Sequence, residues 1–200
     1  MTRVKTNSIP ALRLCTIVLG IAATAPAFAA VQPQCSVEPA SGAPAETRQF
    51  AFLIGDHDVS LHAWRNGAWT PPRPVSAKWR GWYGLDGHAV YDEWIDPDTT
   101  QVAGGNHGIN VRMYDPEEKL WKMMWIATAG RQVQDLRAQV IDGVLTMWQE
   151  HPERPGWKAE FRVLDEKRWE RIGYQLDAEG VHQPQFRLVA TRVRDSVCAQ

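Results

Sequence analysis

From Asp58 to Val193 the chain runs in short segments where apolar and polar positions alternate with a period of two, each closed by turn residues. That spacing predicts ten strands: Asp58–Trp64, Val75–Tyr83, Ala89–Ile95, Gly108–Tyr114, Leu120–Thr128, Gln132–Val140, Val144–Glu150, Trp157–Leu164, Trp169–Gln175 and Gln185–Val193. The links are short and turn-rich ("RNGAW", "GLDG", "DPDT", "DPEEK", "IDG", "HPERPG"), so sequential strands are antiparallel neighbours. No long amphipathic helix is legible; "TRQFAFLIG" reads as a short helical turn leading into the first strand.

Residues two apart on a strand share a face. Trp157, Ala159, Phe161 and Val163 therefore oppose Lys158, Glu160, Arg162 and Leu164, a one-face-in pattern. Trp121, Met123, Trp125 and Ala127 oppose Lys122, Met124, Ile126 and Thr128; both faces are largely apolar, which predicts a central strand. A meander of ten strands removes its exposed edges by closing. The expected fold is all-β: one antiparallel up-and-down barrel with an internal cavity.

Composition changes the picture mainly at the N-terminus. Arg3, Lys5 and Arg13 precede an apolar run, Leu14 to Ile21, and then "AATAPAFAA". These are the three parts of a secretory signal peptide, with cleavage expected after Ala29. The apolar run is too short to span a bilayer, so no stable membrane insertion is expected after cleavage, and the mature protein is periplasmic or secreted. Residues 30–46, rich in Pro, Ala and Ser, read as an extended arm, and 47–196 as the barrel domain. Removing the three basic residues takes the net charge from −1 to −4, which argues against a nucleic-acid partner. Of three cysteines, Cys15 lies in the signal peptide; Cys35 and Cys198 form an even pair and read as a disulfide in an oxidising compartment.

Candidate chemistry is sparse. "GDHDVSLHAW" places His57 and His62 on opposite faces of a strand, and no ligand spacing supports a metal there. In "GGNHGINVRMYD", His107 is either a contact or general base at the barrel rim or part of a loop entering a strand. Asp92 and Glu93 point to opposite faces, so one of them faces inward. Tyr91 and Glu93 share a face, and Arg112 follows on the next strand. A buried carboxylate–guanidinium pair there would be a head-group anchor or a structural ion pair. The chain has ten tryptophans, some for the core and some, Trp125 among them, to line a cavity. No Ser-His-Asp arrangement, P-loop, GxGxxG, HExxH or CxxC occurs, and no cofactor is expected.

The segments "FAFLIGDHDVSLHAW", "LDGHAVYDEWID" and "GINVRMYDPEEKLWKMMWI" resemble calycin-type, lipocalin-like barrels, and more closely the bacterial domain-of-unknown-function family 1579, whose members often begin FLxGxWxV. The resemblance runs from Phe50 to Val193. It implies a barrel whose floor is closed by a Trp packed under an Arg of the last strand, here Arg192 or Arg194. This chain departs from the pattern: His57 stands where the Trp is expected.

Three functions follow, in this order. The first is an exported barrel holding a small apolar or amphipathic ligand, with Tyr91, Glu93, His107, Arg112 and Trp125 as contacts. The second is an enzyme of the same fold in which His107, Glu93 and Arg112 converge in one pocket. The third is a solid-core envelope interaction protein with an apolar patch outside.

Overall fold

The computed structural model describes residues 35–73, 77–97, 105–196 and 198. The expected signal peptide, and the first two positions of the strand expected from Val75, lie outside the described residues. Eleven strands follow a 3₁₀ segment, Ala45–Leu53: β1 (Gly55–Arg65), β2 (Ala68–Trp69), β3 (Ala77–Gly84), β4 (Ala89–Asp96), β5 (Asn106–Asp115), β6 (Leu120–Ala127), β7 (Gln132–Ile141), β8 (Val144–His151), β9 (Trp157–Val163), β10 (Arg168–Leu176) and β11 (His182–Arg194). β2 is a two-residue return that pairs only with the end of β1. The other ten pair in sequence order, and β11 returns to β1 with Val59 opposite Ala190 and Leu61 opposite Leu188. The result is a closed, ten-stranded antiparallel barrel.

Local chemistry explains the meander. Asn66-Gly67 and Asp142-Gly143 both hold positive φ at each turn position, between Arg65 and Ala68 and between Ile141 and Val144. This is the two-residue hairpin turn whose twist matches the strands it joins.

One end of the barrel is plugged. The 3₁₀ segment lies across it, with Phe50 and Leu53 fully buried. Phe50 meets Trp121 edge-on at 4.8 Å and Phe161 at 5.5 Å. Trp121 Nε1 donates to Gln49 Oε1 at 2.9 Å, and Arg192 Nη2 donates to the Phe52 carbonyl at 3.3 Å. Gly81 is required beneath the plug, because a Cβ there would collide with the Leu53 carbonyl. His57 is buried at this end, opposite Arg192 in register, with its ring edge-on to Trp169 at 5.9 Å. Burial, and then the Arg192 charge, lower its pKa to about 4, so the ring is neutral at physiological pH.

The arm is not loose. Ser36 and Tyr83 exchange two backbone hydrogen bonds (2.9 and 2.8 Å), and Ala40 N–H donates to the Gly87 carbonyl at 3.0 Å. Cys35 and Cys198 are joined by a disulfide, with Cα atoms 5.3 Å apart. Arm and C-terminus are thereby fastened together.

β6 is flanked by β5 and β7, central in the sheet as its pattern predicts. Its inner face is as read: Trp121, Met123 and Ala127 are buried. Its outer face, however, is uncovered. Met124 and Ile126 are exposed and join Met113 and Val133 in an apolar strip on the outside of the barrel. Closure into a barrel makes every strand central in the sheet without putting a second layer over its outer face.

Candidate functional site

The strand register sorts the candidate residues into two sets. On β4, Val90, Asp92 and Trp94 point inward; Tyr91 and Glu93 point out. Tyr91 stacks on Trp82 of the neighbouring strand, ring centroids 5.7 Å apart, on the outer surface. Glu93 accepts from His107 Nε2 at 2.7 Å, also outside, and lies 3.6 Å from Arg80. Arg112, two strand positions from Asn110, points inward and is fully buried.

From sequence, Arg112 is expected beside the face carrying Tyr91 and Glu93. In the structure its partner is Asp92: Arg112 Nη1 contacts Asp92 Oδ2, and both side chains are wholly inaccessible. Parity is the reason, since Val90 is opposite Arg112 and Asp92 opposite Asn110, all on the inner face. The expected convergence of His107, Glu93 and Arg112 in one pocket is not found. The first two lie outside the wall and the third inside.

Arg112 also has its guanidinium 4.9 Å from the Phe50 ring centre, so it belongs to the plugged half. The other half of the interior is not filled. A cavity of about 230 Å³ opens there, walled by Trp79, Trp94, Trp125 and Trp157 and floored by Leu136 and Met147. Trp125, the remaining sequence candidate, is thus a cavity wall. Its indole lies against Gly108, where a Cβ would overlap the ring; the glycine beside His107 serves the indole, not the imidazole.

Among the described residues one charged side chain lines this cavity, Arg171 on β10. Trp169, Arg171 and Gly173 share the inner face, and Arg171 is opposite Phe161 and Leu188. Its guanidinium lies among the rings of Trp79 (5.6 Å), Phe161 (5.9 Å) and Phe186 (5.5 Å). Burial lowers its pKa to about 10, which leaves it cationic at neutral pH. Among the described residues no carboxylate pairs with it.

Polar atoms without partners gather at the same place. Arg171 Nε, Trp79 Nε1, Trp157 Nε1 and Asn110 Oδ1 are all buried, lack a hydrogen-bond partner and belong to side chains lining the cavity. Buried polar groups are ordinarily satisfied, so four orphans on the side chains around one cavity are informative.

No family model matches the chain, and no curated protein matches it. Among solved structures it is similar to an S-type phycobiliprotein lyase from Guillardia theta, with 15% identity and a TM-score of 0.43 over 74% of this chain and 92% of that one. The barrel described above rests on its own strand pairing rather than on that likeness.

Arg171 and Asn110 are not singled out by any sequence motif. A signal for Arg171 was present: once Trp157, Ala159 and Phe161 are read as one inner face, the antiparallel neighbour places Arg171 opposite Phe161 on the same face. Among the described residues no group of His, Cys, Asp and Glu is arranged to hold a metal.

Proposed function

We propose that this is an exported binding protein that holds a small amphipathic molecule in the unplugged half of its barrel. The observation that carries the reading is the division of the interior. One half is packed solid with Phe50, Trp121, Phe161 and Trp169, while the other keeps an indole-walled cavity whose lining side chains carry buried polar atoms without partners. A solid-core protein would fill both halves. At about 230 Å³ the cavity falls below the roughly 300–1,000 Å³ typical of pockets for drug-sized molecules, which favours a ligand of one or two rings. The Cys35–Cys198 disulfide supports export, and no described helix is long and apolar enough to cross a membrane, which is compatible with it. The calycin-like segments of the sequence agree with a ligand-holding barrel.

The test is native mass spectrometry of the full chain, exported to a periplasm and purified without detergent, alongside its Leu136→Trp variant. The expected result is an added mass on the native protein that disappears on denaturation and is missing from the variant, whose new indole fills the cavity. An added mass that persists in the variant, or a protein that is apo and whose melting point no one- or two-ring compound raises, refutes the reading.

A further inference from the structure

Among the described residues three arginines point into the barrel: Arg192 is tied to the plug through the Phe52 carbonyl, and Asp92 is the one carboxylate that pairs with either of the other two, Arg112 and Arg171. Arg112 is matched by Asp92. Arg171, among the described residues, is matched only by ring faces. A buried charge without a counter-charge is costly, and cation–π contacts offset only part of that cost. The cavity wall offers no relief, since none of its described lining residues is acidic. The orphaned atoms are unbalanced in the same sense: Arg171 Nε, Trp79 Nε1 and Trp157 Nε1 are donors, and only Asn110 Oδ1 is an acceptor. The rest of the wall is flat and aromatic.

We infer that the ligand is a planar aromatic carboxylate, its carboxylate held by the Arg171 guanidinium and its ring lodged among Trp79, Trp94, Trp125 and Trp157. This inference rests on the binding reading above and names the ligand class for that same cavity. The chemistry is selective at each point. A guanidinium presents a planar fork that a carboxylate meets with two parallel hydrogen bonds. A cationic ligand would be repelled by Arg171, and a neutral one would leave it unmatched. Indole walls accept flat rings by stacking or edge contact. Arg112 is excluded from the role because Asp92 and Phe50 already occupy its surroundings.

A further consequence separates this role from a structural one. If Arg171 awaits a ligand, the empty protein is less stable for having it. Arg171→Met places an apolar chain of similar reach among the rings, so the empty variant melts no lower than the wild type and loses carboxylate binding. An arginine retained for stability behaves in the opposite way.

The probes are 2-naphthoate and its uncharged counterpart 2-naphthamide, titrated calorimetrically into the full, disulfide-intact chain and into Arg171→Met, Arg171→Lys and Met147→Trp. In the wild type naphthoate binds at least tenfold tighter than the amide. Arg171→Met loses that preference while still binding the amide. Arg171→Lys, which keeps the charge but not the fork, retains a reduced preference and carries the test if the Met variant does not fold. Met147→Trp, which fills the cavity, binds neither. Equal affinities for the two probes in the wild type, or an unchanged preference in Arg171→Met, overturn the inference but leave the cavity reading intact so long as Met147→Trp abolishes binding. If neither probe binds the wild type, the inference falls, while the cavity reading stands or falls on the native mass measurement.

Discussion

Replacing Asp92 by Asn keeps the shape of the side chain and removes its charge. Both members of the Asp92–Arg112 pair are fully buried, so Arg112 would be left as an uncompensated cation inside the wall. Removing one partner of such a pair costs about 3–5 kcal/mol. Arg171 adds a second positive charge nearby and already pushes the Arg112 pKa the same way as desolvation, which places the expectation at the upper end. At roughly 2–4 °C per kcal/mol for a domain of this size, the melting point falls by about 6–20 °C. The assay is urea unfolding followed by tryptophan fluorescence, with the disulfide intact in every sample. The informative comparison is Asp92→Leu combined with Arg112→Met, which removes both charges and substitutes apolar volume. Because a buried pair is often no better than well-packed apolar residues, this double variant recovers most of the loss. A loss below about 1 kcal/mol for Asp92→Asn, or a double variant no more stable than the single one, would refute the argument that charge matching holds this part of the wall together.

Further outcomes are expected elsewhere. His57 has a folded pKa of about 4, below its ordinary value of 6.5, so the unfolded chain takes up the proton first as pH falls. Its contribution is therefore complete above about pH 6.5 and is lost down to pH 4, at about 1.4 kcal/mol per pH unit within that window; His57→Gln should flatten the corresponding slope of stability against pH. Reducing the disulfide, or replacing Cys35 and Cys198 by Ser, should cost about 2–5 kcal/mol, read from paired melts with and without reductant. Gly108→Ala should drive the Trp125 ring off its seat, weakening 2-naphthoate binding at least severalfold with the barrel still folded by circular dichroism; unchanged affinity would show that Trp125 does not shape the cavity.

The strands were legible because each is a local pattern. All ten predicted segments coincide with barrel strands to within a few residues, and the Asn-Gly and Asp-Gly turns occur where they were read. The site was much less legible, for a geometric reason. Whether Asp92 or Glu93 faces inward depends on a one-residue register, and alternation leaves both choices open when the flanking residues are Tyr91 and Trp94. That single step makes Asp92, not Glu93, the partner of Arg112. Arg171 was obscured in a different way: on β10 the outward residues Glu170 and Ile172 are also buried, so the strand shows no contrast between its faces. Glu170 is held there by Arg187, at 2.7 Å, an ion pair across strands that no local pattern predicts. Composition pointed to a cavity through its tryptophans but could not separate Trp121, which braces the plug, from Trp125, which lines the opening.

The seam between β1 and β11 gives the barrel a direction in time. Every other strand pairs with its predecessor as soon as both exist, but β1 must wait for the last strand to arrive. Until then the chain is an open sheet with two raw edges, one on β1 carrying His57 and Val59 and the other on β10. Closing over so long a separation is slow compared with forming hairpins. A chain that stops short of residue 182 therefore has no way to protect its first strand, and is expected to pair with a neighbour instead of with itself.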